Sequence, residues 1–344
     1  MENIYFGPEA FPNLQVFLQN KAFSQVLVLA DENTRRDCYP LIKKFLPEHH
    51  LMQISSGEAN KTLATSETIW HYLTEKAFDR WGVVVNLGGG VIGDMGGFCA
   101  ALYKRGITFV NVPTTLLAMV DASVGGKTGI DFSGFKNQLG LFQEPKAVFI
   151  DPVFLETLPL RQLKSGYAEI VKHWLIADAD AFEEQRYVGL AAADWQQLIP
   201  ASVAVKNRIV KADPLEFGPR RVLNFGHTVG HAVESYFLTQ PGREVLHGEA
   251  IAVGLLCESY LSKQKNLLTA SAFGRIETFI VSVFDKVKIS PEDIAGILPY
   301  LRQDKKNRDG LINCVLLADI GKAVYDEPVT LAQAKAALHY YQLL

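Results

Sequence analysis

The first 150 residues alternate short apolar runs with segments of helical periodicity, and no other feature restricts the fold as strongly. The runs occupy residues 26–30, 81–87, 107–112 and 147–150. Apolar strands that alternate with helices are typical of a mostly parallel sheet with helices on its faces. We therefore predict that the N-terminal part of the chain is an α/β domain.

The second half of the chain has a different pattern. From about residue 160 the apolar residues recur with helical spacing, as in residues 168–176 and 251–261. A chain of 344 residues exceeds the size at which one core usually stops growing, so two domains are expected. The breakers Asp151-Pro152 and Leu158-Pro159 place the change near this point. We predict an α/β domain over residues 1–158 and a helical domain over residues 159–344.

A glycine-rich segment follows the second apolar run, at residues 88–97. Glycines between a strand and a helix let backbone N–H groups approach a phosphate, and the helix N-terminus favours an anion. The spacing fits GxGxxG, but the acidic residue expected at the end of the next strand is missing from residues 107–112. Asp31, which ends the first run, could hold a ribose hydroxyl instead, although such an acid is often only a cap.

A second glycine-rich segment, residues 120–129, contains Gly125-Gly126-Lys127-Thr128. A P-loop would need its first glycine at Val120 or Asp121, and neither is glycine, so ATP hydrolysis is not supported. Lys127 beside Asp121, with Lys136 and Asn137 nearby, could contact a phosphate or a carboxylate. A solvated loop is the alternative.

Histidines cluster between residues 224 and 249. His227 and His231 are four residues apart and would share one face of a helix, and His247 follows after a loop that contains glycine. This spacing suits a metal site, whereas hydrogen-bonded structural histidines are the alternative. Glu169 and His173 would also share a helical face with Lys172, and spacing alone cannot say which of them joins the cluster.

Charge and cysteine content restrict the partners and the compartment. A formal net charge of -3 gives no general attraction for nucleic acid or for an anionic membrane. The four cysteines are scattered, which argues against a disulfide framework or a thiolate zinc site. The start of the chain has no basic segment followed by an apolar run, and no stretch is long and apolar enough to span a bilayer. We expect a soluble, cytoplasmic protein with no nucleic-acid or membrane partner.

Taken together, these motifs closely resemble dehydroquinate synthases, almost from end to end. The matching stretches are residues 88–97, 112–115, 121–129, 136–137, 168–169, 224–231 and 247–250. The resemblance implies a Rossmann-like N-terminal domain with a parallel sheet, an all-helical C-terminal metal-binding domain, and an active site in the cleft between them. It implies NAD and zinc, or cobalt or another divalent metal, as cofactors. The implied reaction converts 3-deoxy-D-arabino-heptulosonate 7-phosphate into 3-dehydroquinate and phosphate in the shikimate pathway. The resemblance also suggests a homodimer.

The resemblance implies roles for individual residues. The zinc ligands would be Glu169, His227 and His247, which leave an open position as a catalytic zinc requires. His231 would then transfer protons, with Glu216 as the other proton acceptor. The catalytic set implied by the resemblance is His231, Glu216, Lys172, Lys127 and Asp121.

The implied contacts to NAD and to the substrate are more numerous. Those to NAD are Asp31, Asn33, Glu58, Lys61, Gly89, Gly90, Val91, Asp94, Thr114, Thr115, Lys136, Phe154, Leu155, Glu156, Thr157 and Ser165. Those to the substrate are Arg105, Asp121, Lys127, Asn137, Lys172, Lys206, Arg220, Asn224 and Lys306, with Lys305 as the alternative to the last. Most of the substrate contacts are cationic, which suits a ligand with both a phosphate and a carboxylate.

The chain departs from the family pattern at few positions, and three other functions are considered. Pro214 stands where the family often has a second acid, and Pro219 precedes Arg220, so the role of Glu216 in this loop is the weakest transfer. A glycerol-dehydrogenase-like oxidoreductase would share the layout but would produce net NADH. Related sugar phosphate cyclases that make valiolone-type or inosose-type cyclitols would share the mechanism. A non-catalytic nucleotide- or metal-binding protein would show no turnover.

Overall fold

The structure is a computed structural model that describes residues 3–133, 135–302 and 311–344. The described residues form two compact units. The first falls within Met1–Leu163 and Trp195–Asn207, and the second falls within Lys164–Asp194 and Arg208–Leu344. The predicted boundary after residue 158 lies near the first of these divisions, and the functions assigned to the two predicted domains stay predictions.

The first unit is built on a six-stranded parallel sheet. Its strands and those of a small hairpin are β1 (Ile4–Phe6), β2 (Val26–Asp31), β3 (His50–Ile54), β4 (Val83–Gly88), β5 (Thr108–Pro113), β6 (Lys127–Phe132), β7 (Phe135–Phe142) and β8 (Val148–Ile150). The strand order in the sheet is β1-β8-β5-β4-β2-β3. Every pairing in it is parallel, for example Val84 beside Phe109 between β4 and β5. The predicted α/β class is confirmed.

The four predicted apolar runs correspond to β2, β4, β5 and β8. Each of these strands is buried along nearly its whole length, because helices cover a parallel sheet on both faces. The prediction did not include β1, which has only three residues, or β3, which carries His50 and Gln53 among its apolar residues. Short or polar edge strands lack the continuous apolar run by which an interior strand is recognised.

Helices pack on this sheet and complete its core. They are α1 (Ala10–Asn20), α2 (Glu32–Asp37), α3 (Tyr39–Ile42), α4 (Leu63–Glu75) and α5 (Gly90–Leu102). Ile92 and Met95 of α5 are fully buried in one cluster with Val84 and Phe109 of the sheet. The second glycine-rich segment is not a simple loop. It leads from a π-helical turn at Ala118–Ala122 into the antiparallel hairpin of β6 and β7.

The second unit is mainly helical, as predicted. The elements from residue 160 onward are α6 (Leu160–Ala177), α7 (Ala179–Gln185), α8 (Trp195–Ala212), α9 (His227–Leu238), α10 (His247–Gln264), α11 (Ala270–Val283), α12 (Pro291–Arg302), β9 (Ile312–Asp319), β10 (Lys322–Val329) and α13 (Leu331–Leu343). The start of α6 and most of α8, Trp195–Asn207, belong to the first unit, and the rest of these two helices belongs to the second. The antiparallel hairpin of β9 and β10 adds a small sheet to a unit predicted to be all-helical. Helix α10 is buried on nearly every side and contacts α9, α11, α13 and β9, so it is the central helix of this unit. None of the helices in the described ranges has the length and apolar character needed to cross a bilayer.

Candidate metal centre and nucleotide cradle

Helix α10 begins at His247, and a close contact with α6 sets where it begins. The Gly248 N–H donates to the Ser165 hydroxyl at 2.9 Å. A Cβ atom on Gly248 would lie 1.9 Å from the Ser165 carbonyl oxygen, so only glycine permits this approach. The Leu246 N–H also donates to the Glu249 carboxylate at 2.7 Å. These contacts fix the backbone of His247 near Glu169, which lies one turn beyond Ser165 on α6.

Replacing Gly248 with alanine is expected to lower both stability and zinc affinity, because the added methyl group would push the start of α10 away from α6. Overpacking of this kind usually costs about 1–3 kcal/mol. Thermal denaturation and a zinc titration would measure the two effects. Gly274→Ala is the matched control, because its added Cβ would meet no described atom within 4 Å apart from its chain neighbours and the backbone of its own helix. It should retain or slightly increase stability. A Gly248→Ala protein with the same stability and zinc affinity as the parent would contradict the role given to the contact between Gly248 and Ser165.

Helix α9 carries His227 and His231, and a buried acid on α10 caps its N-terminus. The Glu258 carboxylate accepts from the Gly226 N–H at 2.6 Å and from the Val229 N–H at 3.0 Å. Gly226 is left-handed, with φ of 79°, which suits a glycine at this turn. The cap satisfies backbone donors that would otherwise be buried without partners, and it orients the first turn of α9. Helix α10 therefore fixes His227 as well as presenting His247.

Three donor atoms converge where α6, α9 and α10 meet. The Glu169 Oε1 atom lies 3.5 Å from His227 Nε2 and 3.6 Å from His247 Nε2. A tetrahedral zinc bound at about 2.0–2.1 Å by each ligand would separate its donors by roughly 3.3 Å. Glu169 Oε1 is also buried and makes no hydrogen bond to any described residue. The donor set and its spacing therefore fit a divalent metal such as zinc.

The other oxygen of Glu169 is paired with Lys172. The Lys172 ammonium donates to Glu169 Oε2, and both side chains are buried, although a helical face of this composition is usually solvated. Burial raises the pKa of Glu169, but Lys172 and the neighbouring histidines outweigh burial and hold it well below its ordinary value. The carboxylate is thus charged and directs Oε1 toward the two imidazoles, as a single-oxygen ligand would.

The two imidazoles differ in their electrostatics. Burial and the Lys172 ammonium hold the pKa of His227 well below its ordinary value. Burial also lowers the pKa of His247, but the Glu234 and Glu169 carboxylates raise it to about 10. His227 is therefore ready to bind a metal at neutral pH, whereas His247 must release a proton when a metal binds.

His231 lies at the rim of this cluster. Its ring centroid is 5.1 Å from that of His227 and 5.8 Å from that of His247, and its side chain is exposed. Helical spacing alone would have paired His227 and His231 as joint ligands. In the folded chain Glu169 Oε1 faces both Nε2 atoms, whereas His231 belongs to a second group of possible donors with Glu234 and His247. His173, the other residue of α6 considered as a possible ligand, is buried, as is the adjacent Lys172.

The loop before α9 brings two predicted site residues together. The Asn224 amide donates to Glu216 Oε1 at 2.6 Å, and Glu216 is left-handed with φ of 62°. Asp213 closes the loop by accepting from the N–H groups of Phe217, Gly218 and Arg220. The Arg220 guanidinium is buried and donates to the Pro214 carbonyl at 2.6 Å. The two prolines are thus accommodated in a well-bonded loop that holds the Glu216 carboxylate in place.

In the first unit, the glycine-rich segment forms the N-terminus of α5. Gly89 is the N-cap residue and has no side chain of its own to cap the helix, and the first turn contains no acidic residue. A Cβ on Gly89 would lie 3.1 Å from the Thr115 side chain and would fill the space over the backbone donors. Strands β2 and β4 are neighbours, but β2 leads to β3 on one side and β4 leads to β5 on the other. Nucleotides bind at such a switch point, so this cradle fits the pyrophosphate of NAD.

Several residues assigned to NAD contact one another here. Lys61 is buried and donates to Asp94 at 2.6 Å and to Asn137 Oδ1 at 2.5 Å. Lys136 pairs with Glu58 at 3.0 Å. Asp31 accepts from the Thr34 N–H at 2.8 Å and caps α2, the alternative role considered for this acid. Asn33 lies in the first turns of that same helix.

The remaining assigned residues are distributed over both units. Asp121 pairs with the buried Lys206 at 2.6 Å, Lys127 begins β6 with an exposed side chain, and Arg105 is exposed.

The remaining residues assigned to NAD lie around two elements. Gly90, Val91, Thr114 and Thr115 surround the start of α5, and Phe154, Leu155, Glu156 and Thr157 belong to the 3-10 segment Pro152–Thr157 after β8. Phe154 packs its ring against Phe11, so it could offer NAD only its backbone. Ser165 lies in the second unit, where its hydroxyl accepts from Gly248. Lys306 and its alternative Lys305 lie outside the described residues.

Sequence reasoning did not identify two acids near the metal centre, Glu234 and Glu258. Glu234 Oε2 lies 3.2 Å from His247 Nδ1, and Glu258 caps α9. Glu234 is seven residues after His227, two helical turns along one face, which is the one sequence signal that could have drawn attention to it. No local rule indicates that Glu258 would reach α9, since that contact depends on how two helices pack.

Comparison with known proteins covers most of the chain. The family described as "3-dehydroquinate synthase N-terminal" matches residues 51–165, and "3-dehydroquinate synthase C-terminal" matches residues 166–307. The 3-dehydroquinate synthase of Parabacteroides distasonis is 38% identical over 334 residues, which are 96% of this chain and 94% of that protein.

Two solved structures share the fold. One is a 2-deoxy-scyllo-inosose synthase in complex with carbaglucose-6-phosphate, NAD⁺ and Co²⁺, with a TM-score of 0.88, 25% identity, and coverage of 98% of this chain and 96% of that one. The other is a 2-epi-5-epi-valiolone synthase from Streptomyces hygroscopicus with bound NAD⁺ and Zn²⁺. It has a TM-score of 0.86, 29% identity, and coverage of 99% of this chain and 96% of that one.

Proposed function

Because this chain belongs to the 3-dehydroquinate synthase family, we propose that it converts 3-deoxy-D-arabino-heptulosonate 7-phosphate into 3-dehydroquinate and phosphate. The reaction breaks a carbon–oxygen bond to phosphate, which makes the enzyme a lyase. It would serve the shikimate pathway and aromatic amino acid biosynthesis. The observation that carries the proposal is the family match over residues 51–307, which includes the three converging donors Glu169, His227 and His247.

Glu169, His227 and His247 would hold the metal in this enzyme, and the start of α5 with its surroundings would hold NAD. When bound, a zinc ion supplies a Lewis acid for the substrate hydroxyl, and NAD supplies a reversible hydride acceptor that ends the cycle unchanged. Cobalt or another divalent ion could replace zinc, since the NAD-bound neighbours contain either Co²⁺ or Zn²⁺. The donor spacing and the glycine N-cap at the start of α5 support these assignments.

The proposed proton-transfer groups are His231 and Glu216. His231 is exposed at the rim of the donor cluster, so it can reach both solvent and a bound substrate. Glu216 is oriented by Asn224 and can accept a proton on its carboxylate. Neither side chain is needed to complete the set of three metal donors, which supports a role in proton transfer.

The proposed substrate contacts are mostly cationic. The described ones are Arg105, Lys127, Lys172, Lys206 and Arg220. Cationic side chains that meet a phosphate and a carboxylate fix both ends of the substrate, so it reacts as a bound ring rather than as a flexible chain. Asp121, Asn137 and Asn224 would orient hydroxyl groups. Lys306 is retained in the proposal on the family resemblance alone.

The decisive assay follows phosphate release and 3-dehydroquinate formation from 3-deoxy-D-arabino-heptulosonate 7-phosphate, with NAD in catalytic amount and zinc present. We expect one phosphate released for each 3-dehydroquinate formed, with no net NADH, because the hydride is returned. Treatment with a chelator should abolish both signals, and added zinc or cobalt should restore them. No phosphate release from folded, metal-loaded protein would refute the proposal.

The same assay separates this function from its alternatives. Net NADH from a polyol would indicate a glycerol-dehydrogenase-like oxidoreductase. Cyclisation of other sugar phosphates, but not of the heptulosonate, would indicate an inosose- or valiolone-type cyclase. The identity of 38% over nearly the whole chain to a 3-dehydroquinate synthase, against 25% and 29% to the two cyclases, favours the heptulosonate.

We also infer a homodimer, because the family resemblance suggests it, and a cytoplasmic location, because the four cysteines are scattered and form no disulfide framework. Light scattering of the purified protein should give the mass of two chains, and cell fractionation should recover it with the soluble cytoplasmic proteins. A monomer at micromolar concentration would contradict the first inference.

A further inference from the structure

The His247 imidazole lies between two carboxylates. Its Nε2 atom is 3.6 Å from Glu169 Oε1, and its Nδ1 atom is 3.2 Å from Glu234 Oε2. Glu234 is buried on α9, on the face that also carries His227. The ring therefore has one nitrogen toward the metal donors and the other toward an acid that none of the proposed roles uses.

The backbone of His247 is well fixed, but its ring needs a separate restraint. The contacts of Leu246 and Gly248 hold the start of α10 and leave the two side-chain torsions of His247 undetermined. A half-turn about the second torsion would place the ring carbons Cδ2 and Cε1 where Nδ1 and Nε2 now lie. The contact with Glu234 favours the orientation in which Nδ1 faces that carboxylate.

A carboxylate on Nδ1 also selects the tautomer. A neutral imidazole has one N–H and one lone pair, so an N–H that donates to a carboxylate leaves the lone pair on the other nitrogen for a metal. His227 has an equivalent partner, because its Nδ1 lies 3.1 Å from the Phe225 carbonyl oxygen. Both histidines thus present Nε2 to Glu169, one through a backbone carbonyl and one through the Glu234 side chain.

We propose that Glu234 is a positioning residue that holds His247 with Nδ1–H toward itself and Nε2 toward the metal. It acts through His247 and does not bind the metal. The inference rests on the metal-binding part of the proposed function and adds a residue to it. A competing arrangement exists, since donor atoms of His231, Glu234 and His247 also lie within 4.8 Å of one another and could hold an ion with Glu234 as a ligand.

Two variants separate these arrangements. Glu234→Gln keeps an oxygen that can accept from Nδ1–H, and Glu234→Leu removes the acceptor while filling a similar volume. Zinc affinity of each, measured by competition with a chromophoric chelator, should fall about 10- to 100-fold in the leucine variant, as for other groups that orient a ligand. The glutamine variant should stay within about threefold of the parent, because the hydrogen bond is retained.

The cobalt-loaded proteins provide a second measurement. If Glu234 is not a ligand, the visible absorption of bound Co²⁺ should keep its band positions in Glu234→Gln, since the three ligands are unchanged. Parental zinc affinity in Glu234→Leu would overturn the proposal. So would an equal loss in both variants, or zinc binding that survives His227→Ala but not Glu234→Gln, because these results would make Glu234 a ligand.

A measurement on the zinc-loaded parent protein needs no Glu234 variant. With ¹⁵N-labelled histidine, the His247 ring should carry its proton on Nδ1, and the opposite tautomer would overturn the proposal even if the leucine variant does not fold. None of these measurements uses the substrate. An inactive protein with the expected zinc affinities would refute the proposed reaction and leave the role of Glu234 intact.

Discussion

Replacing His247 with alanine is expected to abolish zinc binding and turnover together. The side chain provides one of three converging donors, and the remaining two, Glu169 Oε1 and His227 Nε2, cannot complete a zinc site. The free energy of zinc binding to structural protein sites is roughly 10–16 kcal/mol. The loss of one of three ligands should therefore weaken zinc binding by on the order of 10³-fold or more. Chelator competition measures the affinity, and phosphate release from the heptulosonate measures turnover.

The control for this variant is His339→Ala. His339 lies on α13, where its Nδ1 is 3.3 Å from the Gln342 amide oxygen, away from the donor cluster. It should bind zinc and turn over like the parent. A His247→Ala protein that is folded and still binds zinc with parental affinity would show that the ion is held elsewhere, and the proposed ligand set would have to be abandoned.

Replacing His231 with alanine should have the opposite pattern, in which zinc stays bound and turnover is lost. His231 is one helical turn from His227 and exposed, and it does not belong to the donor group of Glu169, His227 and His247. Loss of a positioned acid or base typically costs about 10²- to 10⁴-fold in rate. We therefore expect kcat to fall by this amount with the zinc dissociation constant within about threefold of the parent.

Exposure of His231 allows a direct test of proton transfer. Added imidazole can enter the space left by the alanine and should restore part of the lost rate, in proportion to its concentration. The His339→Ala protein should not respond to imidazole. If His231→Ala instead loses zinc, the ion is held by the group formed with Glu234 and His247, and the division of roles between the histidines is wrong.

Much of the fold could be predicted because it depends on patterns that are local in sequence. An apolar run indicates each of the buried strands β2, β4, β5 and β8. The periodicity of apolar residues indicates the helices of the second half. The hairpin of β6 and β7 was missed, since its strands contain glycines, lysines and exposed residues rather than a regular alternation. The hairpin of β9 and β10 was also missed, because it is a short pair of strands inside a region that is otherwise helical.

The candidate site was harder to predict than the fold. Spacing of four residues placed His227 and His231 on one face, and that local argument alone would have made both of them ligands. The resemblance to a known family implied that Glu169 and His247 are the other ligands. These two residues are far apart in sequence, so no spacing rule could have paired them. The loop at Asp213 to Arg220, whose two prolines made it the weakest transfer, has a defined set of hydrogen bonds around Asp213.

The sequence by itself determined the parallel sheet, the glycine-rich turn that starts α5, the helical second half and the presence of three histidines within one short stretch. Only the tertiary structure decided which atoms of those histidines face Glu169 and which face Glu234 or a backbone carbonyl. The physical reason is that these contacts join α6, α9 and α10, which are far apart in sequence. Their approach depends on close packing at Gly248 and on the Glu258 cap, and neither leaves a periodic signal in the chain.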